Sequence, residues 1–168
     1  MRKTRKLALS SLITAFAVVL CWVAAVMPSG SVALVGIAGL LTAIVVVECG
    51  YSWALGKFAA TIMLVLLLVP DRMIVLMYAG IFGWYPVIKS LLERGKLRSA
   101  AQWAIKVLIL NAALVLGYIA ASNLFILAGE PNTRLLLIVL LPAEVAFVLY
   151  DIVLTRLIDM YIQRRAKK

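Results

Sequence analysis

The feature of this sequence that most constrains its fold is a series of long apolar runs separated by short polar or turn-forming stretches. Hydrophobic residues make up 65% of the 168 residues, charged residues only 14%, and the mean hydropathy is +1.10. A soluble domain is about half apolar and about a quarter charged, so it could not bury this much apolar surface. The sequence therefore predicts an integral membrane protein whose surroundings include the lipid bilayer.

The apolar runs can be measured against a membrane, whose hydrocarbon core of about 30 Å needs about 20 helical residues. Six segments result, separated by glycines, prolines and other poor helix formers. They are predicted at Leu7 to Met27, Val32 to Val47, Trp53 to Val69, Met73 to Leu91, Trp103 to Ala128 and Leu135 to Tyr161. The second is the shortest, which leaves a five-span alternative open. The predicted fold is an all-α membrane protein, a six transmembrane helix bundle, in one polytopic domain covering residues 1–168.

The lysines and arginines predict the orientation of the bundle, because cytoplasmic loops keep an excess of positive charge. With six spans and a cytoplasmic N-terminus, all 17 basic residues except Arg72 and Arg134 fall on the inner side. Both termini are therefore predicted to be cytoplasmic. Lys57, near the inner end of the third segment, is predicted to extend its ammonium to the inner headgroups. The net charge of +10 fits loops beside anionic lipid, and no nucleic-acid binding is predicted.

Ionisable groups inside apolar segments are costly, so each is a candidate for function. Glu144 lies about ten residues past the outer end of the sixth segment, hence about 15 Å deep. Asp151, Thr155 and Asp159 follow on the same helix face. Glu144 has two open interpretations, which are binding of a substrate, cation or proton, and hydrogen bonding to a neighbouring helix. Asp151 and Asp159, nearer the inner surface, are interpreted as such interhelical groups.

The fourth and fifth segments place further polar and aromatic side chains in the same half of the membrane. Tyr78, Asn111 and Tyr118 lie between the outer face and a level slightly inside the midplane. Together with Glu144 they predict a substrate-binding pocket with aromatic walls and few polar groups. The alternative for each aromatic residue is a helix contact or a place in the interfacial belt.

Enzyme signatures are missing from the sequence. There is no histidine, no phosphate-binding glycine loop and no serine with a recognisable base, and no metal-ligand spacing is present. No catalytic residue, metal site or cofactor is therefore predicted.

The first segment carries small residues four apart at Ser11 and Ala15. This spacing lets another helix approach closely. Ser11 and Ala15 are therefore predicted to form a helix interface, either within the chain or with a partner protein.

Two stretches carry a resemblance to a known family. A basic N-terminus leads into Leu7 to Ala15, and Phe82 to Glu93 stands at the end of the fourth segment. With its length and six-segment pattern, the sequence resembles the substrate-binding (S) components of energy-coupling-factor (ECF) transporters, and more closely bacterial membrane proteins that share that fold. The resemblance implies a location in the bacterial cytoplasmic membrane.

In that family, an alanine-x-x-x-alanine pattern on the first helix meets a transmembrane T component, and the substrate lies in the outer half. Ser11 and Ala15 match part of the pattern, whereas Leu12 and Val19 depart from it. The expected function is a membrane-embedded subunit that binds a vitamin- or metabolite-like small molecule, with partner ATPase subunits supplying energy. The alternative is a non-transporting scaffold, similar in architecture to the rod-shape-determining membrane subunits of bacteria.

Overall fold

The computed structural model of the chain describes residues 3–27, 29–94, 99–125 and 133–166. Within these ranges every regular element is helical, which confirms the all-α prediction. The elements are α1 (Lys3–Val26), α2 (Ser31–Cys49), α3 (Tyr51–Leu68), α4 (Arg72–Met77), a π-helical segment (Tyr78–Phe82), α5 (Tyr85–Arg94), α6 (Ser99–Phe125) and α7 (Thr133–Ala166).

Several of these helices are long and apolar enough to cross a membrane. Within the described residues, four stretches qualify by length and hydropathy: Lys3–Val26, Ser31–Cys49, Tyr51–Leu68 and Arg72–Leu92, the last of which runs through α4, the π-helical segment and most of α5. The described part of α6 contributes a shorter apolar stretch, Ala101–Gly117. The second segment, predicted to be the shortest, forms a helix of 19 residues, about 28 Å long. The chain thus has the helices of a membrane protein, and the count of six spans stays a prediction.

The chain divides into two compact units, Met1–Gln102 and Trp103–Lys168. In the first unit, α1, α2 and α3 contact one another, and α2 also packs against the π-helical segment and α5. The buried residues of α1 recur every three or four positions, so they lie on one face of the helix. That face consists of Ser10, Ile13, Thr14, Ala17, Val18, Cys21 and Ala24. Its small side chains allow α2 and α3 to lie close to α1.

A single residue, Gly50, separates α2 from α3. Its φ of 96° lies in a region that side chains with a Cβ rarely adopt, which makes glycine the suitable residue for this sharp reversal. The Lys6 ammonium donates to the Cys49 carbonyl oxygen at 3.2 Å, so it joins the start of α1 to the end of α2. The reversal makes α2 and α3 antiparallel neighbours.

The fourth apolar segment is interrupted by the π-helical segment, where the sequence predicts a continuous helix. The Gly83 N–H donates to the Tyr78 carbonyl at 2.8 Å, one residue farther back than in an α-helix. The Trp84 indole N–H donates to the Gly80 carbonyl at 3.0 Å. A Cβ on Gly83 would lie 2.6 Å from the Phe58 ring, so glycine permits this close approach. Such segments often occur at functional sites.

Candidate functional site

Asn111 of α6 and Glu144 of α7 meet in the second unit. The Asn111 Nδ2 group donates to Glu144 Oε1 at 3.4 Å and to the Val107 carbonyl oxygen at 3.0 Å. Both side chains are half-buried. The bond to Glu144 is long for an N–H···O bond, so it compensates the carboxylate only in part. The structure therefore brings together two of the four predicted substrate-binding residues.

Asn111 also lines a trough of about 970 Å³ along one face of α6. The other lining side chains recur every three or four residues, as expected of one helix face. They are Trp103, Ala104, Val107, Leu108, Ala112, Val115 and Leu116. Among the described lining residues, Asn111 and the Trp103 indole N–H supply the polar side-chain atoms, and the rest are apolar, which is the usual composition of a small-ligand site.

A buried ion pair lies on the same two helices. Lys106 Nζ is 3.0 Å from Asp151 Oδ2 and 3.3 Å from Oδ1, and both residues are under 5% exposed. The ammonium is also 5.3 Å from the centre of the Trp103 ring. Thr155 donates its hydroxyl to the Asp151 carbonyl at 2.8 Å. The interpretation of Asp151 as an interhelical group is confirmed, with Lys106 as its partner, whereas Asp159, which was given the same interpretation, is exposed.

The two predicted tyrosines have different outcomes. Tyr78 lies in the first unit, where it is fully buried and its hydroxyl is 2.9 Å from Lys57 Nζ. Tyr118 belongs to α6, but its side chain lies outside the described residues. Their participation in one pocket with Asn111 and Glu144 stays a prediction.

Lys57 does not extend to the headgroups, so that prediction is wrong. Its side chain is 2% exposed, and Nζ lies 2.9 Å from Thr42 Oγ1, 2.9 Å from Tyr78 Oη and 3.4 Å from the Ala38 carbonyl oxygen. The ammonium is also 5.4 Å from the centre of the Tyr78 ring. The physical reason is that the core of the first unit supplies oxygen acceptors within reach of the lysine. We call these groups the Lys57 cluster.

The sequence held a signal for the Lys57 cluster. Thr42 lies eight residues before Gly50, and Lys57 lies seven residues after it. Because Gly50 reverses the chain, the two side chains must lie at nearly the same depth on neighbouring helices. An opposed threonine and lysine in two adjacent apolar segments could therefore have been recognised as a pair.

Ser11 and Ala15 are exposed on α1. They line a groove of about 680 Å³ between α1 and α3. The α3 residues that line it include Ser52, Gly56 and Ala60, which are also four residues apart, beside Trp53, Lys57 and Leu64. The small residues of α1 are those that the sequence predicts for a helix interface, and the structure adds the matching row on α3. Two rows of small residues facing one groove can admit another helix closely.

The chain was compared with protein-family models, with curated proteins and with solved structures, and none of them matches. The resemblance to S components therefore rests on the residues of the sequence alone. The candidate site is likewise defined by its own geometry, which is an amide and a carboxylate beside an apolar trough in the second unit.

Proposed function

We propose that this protein is the membrane-embedded, small-molecule-binding subunit of an ECF-type transport system. The proposal includes six spans, both termini in the cytoplasm and an S-component-like bundle. The observation that carries it is the contact between Asn111 and Glu144 at the edge of the α6 trough. It combines a carboxylate, an amide and an apolar surface in one place.

The energetics of Glu144 support a binding role. A carboxylate within a membrane helix costs several kcal/mol unless it is paired or hydrated. Among the described residues, its one hydrogen bond comes from the neutral Asn111 amide at 3.4 Å. Lys106, a cation on the same helix as Asn111, is already 3.0 Å from Asp151. A ligand that contacts Glu144 would supply the compensation that these neighbours do not.

The groove between α1 and α3 supports a partner in the membrane. Its small residues fit the close approach of a transmembrane helix, as a T component would provide. Energy would come from ATPase subunits, because the sequence contains no phosphate-binding glycine loop. The same groove favours a second candidate function, a scaffold that holds partner proteins and binds no small molecule.

Affinity purification in mild detergent, with identification of both co-purifying proteins and small molecules, tests the proposal. We expect Glu144→Gln to lose the small molecule and keep the partner proteins. Ala15→Leu should fill the groove and show the reverse pattern. Asp159→Asn, an exposed acid on the same helix as Glu144, is the matched control and should keep both. Partner proteins without any small molecule in the wild type would favour the scaffold.

The orientation can be tested separately with reporter fusions. One reporter is placed after Lys168 and another in the loop between residues 129 and 134. The six-span proposal expects the first to report the cytoplasm and the second to report the outside. Signals from the same side would contradict it.

A further inference from the structure

The hydrogen bonds of Asn111 and Glu144 indicate which groups a ligand must carry. An asparagine amide has two N–H donors and one oxygen acceptor. Both donors are oriented by acceptors, since Nδ2 faces the Val107 carbonyl and Glu144 Oε1. Exchanging the amide oxygen and nitrogen would place oxygen against oxygen at both contacts, so these neighbours fix the orientation. Asn111 Oδ1 and Glu144 Oε2 therefore have no donor among the described residues, and the site offers acceptors.

The charge around Glu144 leads to the same conclusion. Lys106 is 3.0 Å from Asp151, and the attraction between them keeps that ammonium at Asp151. Arg156 lies twelve residues beyond Glu144 on α7, about 18 Å along the helix axis. Within the described part of the second unit, the Glu144 carboxylate thus forms no ion pair. One positive charge on a ligand would balance it.

The trough limits the rest of the ligand. Its described lining consists of α6 side chains, with the Trp103 ring near one end and Leu116 near the other. A lipid acyl chain would cover these side chains, but it would bring no donor to Asn111 Oδ1 or Glu144 Oε2. Among the described residues, no three His, Cys, Asp or Glu side chains come together to hold a metal ion, and an anion would be repelled by both oxygens. The complementary molecule has an apolar body and one N–H-bearing positive charge.

We propose that the α6 trough binds a protonated amine that carries an apolar body, with its ammonium held by Asn111 Oδ1 and Glu144 Oε2. The ammonium forms charge-assisted hydrogen bonds, and the apolar body lies along α6. This inference rests on the proposed function, since it names the class of ligand that the binding subunit takes.

Four probes of equal chain length separate charge from hydrogen-bond donation. n-Hexylamine has both properties at neutral pH, hexyltrimethylammonium has the charge without an N–H, hexanol has no charge, and hexanoate has the opposite charge. Binding is measured by calorimetry on the protein in lipid nanodiscs, with the signal of empty nanodiscs subtracted. We expect saturable binding of hexylamine, about tenfold tighter than that of any other probe, because charge-assisted hydrogen bonds have this magnitude.

Two variants locate the binding at Glu144. Glu144→Gln should weaken hexylamine binding about tenfold while its helix content, followed by circular dichroism, stays that of the wild type. Asp159→Asn should leave hexylamine binding unchanged. Equal hexylamine affinity in wild type and Glu144→Gln would overturn the inference.

The remaining outcomes separate the ligand class from the function. Saturable binding of hexanol or hexanoate that equals that of hexylamine would refute the amine and leave a binding subunit in place. The same follows if the molecule that co-purifies with the wild type has no amine. Failure of all four probes to bind, with no co-purifying small molecule, would refute both the amine and the binding function.

Discussion

Both compact units bury lysine side chains, and the surroundings of Lys57 in the first unit differ from those of Lys106 in the second. Lys57 is surrounded by neutral oxygens of Thr42, Tyr78 and Ala38, whereas Lys106 contacts the Asp151 carboxylate at 3.0 Å. Both are at most 4% exposed. Burial alone therefore does not determine how an ammonium is accommodated in this protein. One is held by dipoles and the other by an opposite charge.

The comparison shows how the buried charges of the two units are compensated. In the second unit, Lys106 and Asp151 balance each other, and the Glu144 carboxylate accepts from the neutral Asn111 amide. In the first unit, the Lys57 cluster supplies hydrogen bonds and no carboxylate from the described residues. Removing one member of an ion pair leaves a buried, uncompensated charge, whereas removing a charge held by neutral groups does not. Substitutions at the two lysines should therefore differ in size.

The largest effect is expected at Lys106. Lys106→Met leaves the Asp151 carboxylate buried beside an apolar side chain, which should lower the free energy of unfolding by about 3–5 kcal/mol. The measurement is reversible unfolding in mixed micelles, followed by circular dichroism. Adding Asp151→Asn to Lys106→Met should recover most of the loss, because no charge is then left. A double variant as unstable as the single one would contradict an ion-pair origin.

A smaller effect is expected at Gly83, whose backbone lies against the rings of the first unit. The Cβ of Gly83→Ala would lie 2.6 Å from Phe58 and 2.8 Å from the Tyr78 ring, so Tyr78 would have to move relative to Lys57. We expect a loss of about 1–3 kcal/mol in the same unfolding assay. Gly80→Ala is the matched control, since its Cβ meets nothing within 4 Å. Equal stability of the two variants would show that the Lys57 cluster does not depend on this packing.

At Lys57 the net change should be smaller still. Lys57→Met removes hydrogen bonds to three neutral oxygens, but it also removes the cost of burying an ammonium. These contributions oppose each other, so the free energy of unfolding should change by about 1 kcal/mol or less. The measurement is again unfolding in mixed micelles. A loss as large as that of Lys106→Met would remove the distinction between the two lysines.

The sequence predicted the helices well because their signal is local. Apolar runs and turn residues placed the first four segments within a few residues of the observed helices, except at the π-helical segment. There Gly83 lies against Phe58, a tertiary contact that the sequence does not display. The six-span count and the S-component-like fold stay predictions.

The sequence could predict the part of the site that depends only on how deep each residue lies in the membrane. Asn111 and Glu144 were assigned neighbouring depths, and they do form a hydrogen bond. Lys57 was predicted wrongly because its environment depends on which face of α3 turns towards α2. The excess of positive charge in cytoplasmic loops predicts Lys106 at the inner surface, and this rule does not consider whether a lysine has a carboxylate partner. A search for polar residues that face each other on neighbouring helices would have indicated Thr42 as a partner of Lys57 and Asp151 as a partner of Lys106.

Glu144→Gln tests the central claim most directly, because it removes the charge and keeps an oxygen that can accept from Asn111. Stability and retained ligand are measured on one purified sample, by unfolding in mixed micelles and by mass spectrometry of the bound small molecule. The prediction is an unfolding free energy no lower than that of the ligand-free wild type, with the small molecule lost. A variant that keeps both its stability and its small molecule would contradict the assignment of Glu144 as the ligand's counter-charge.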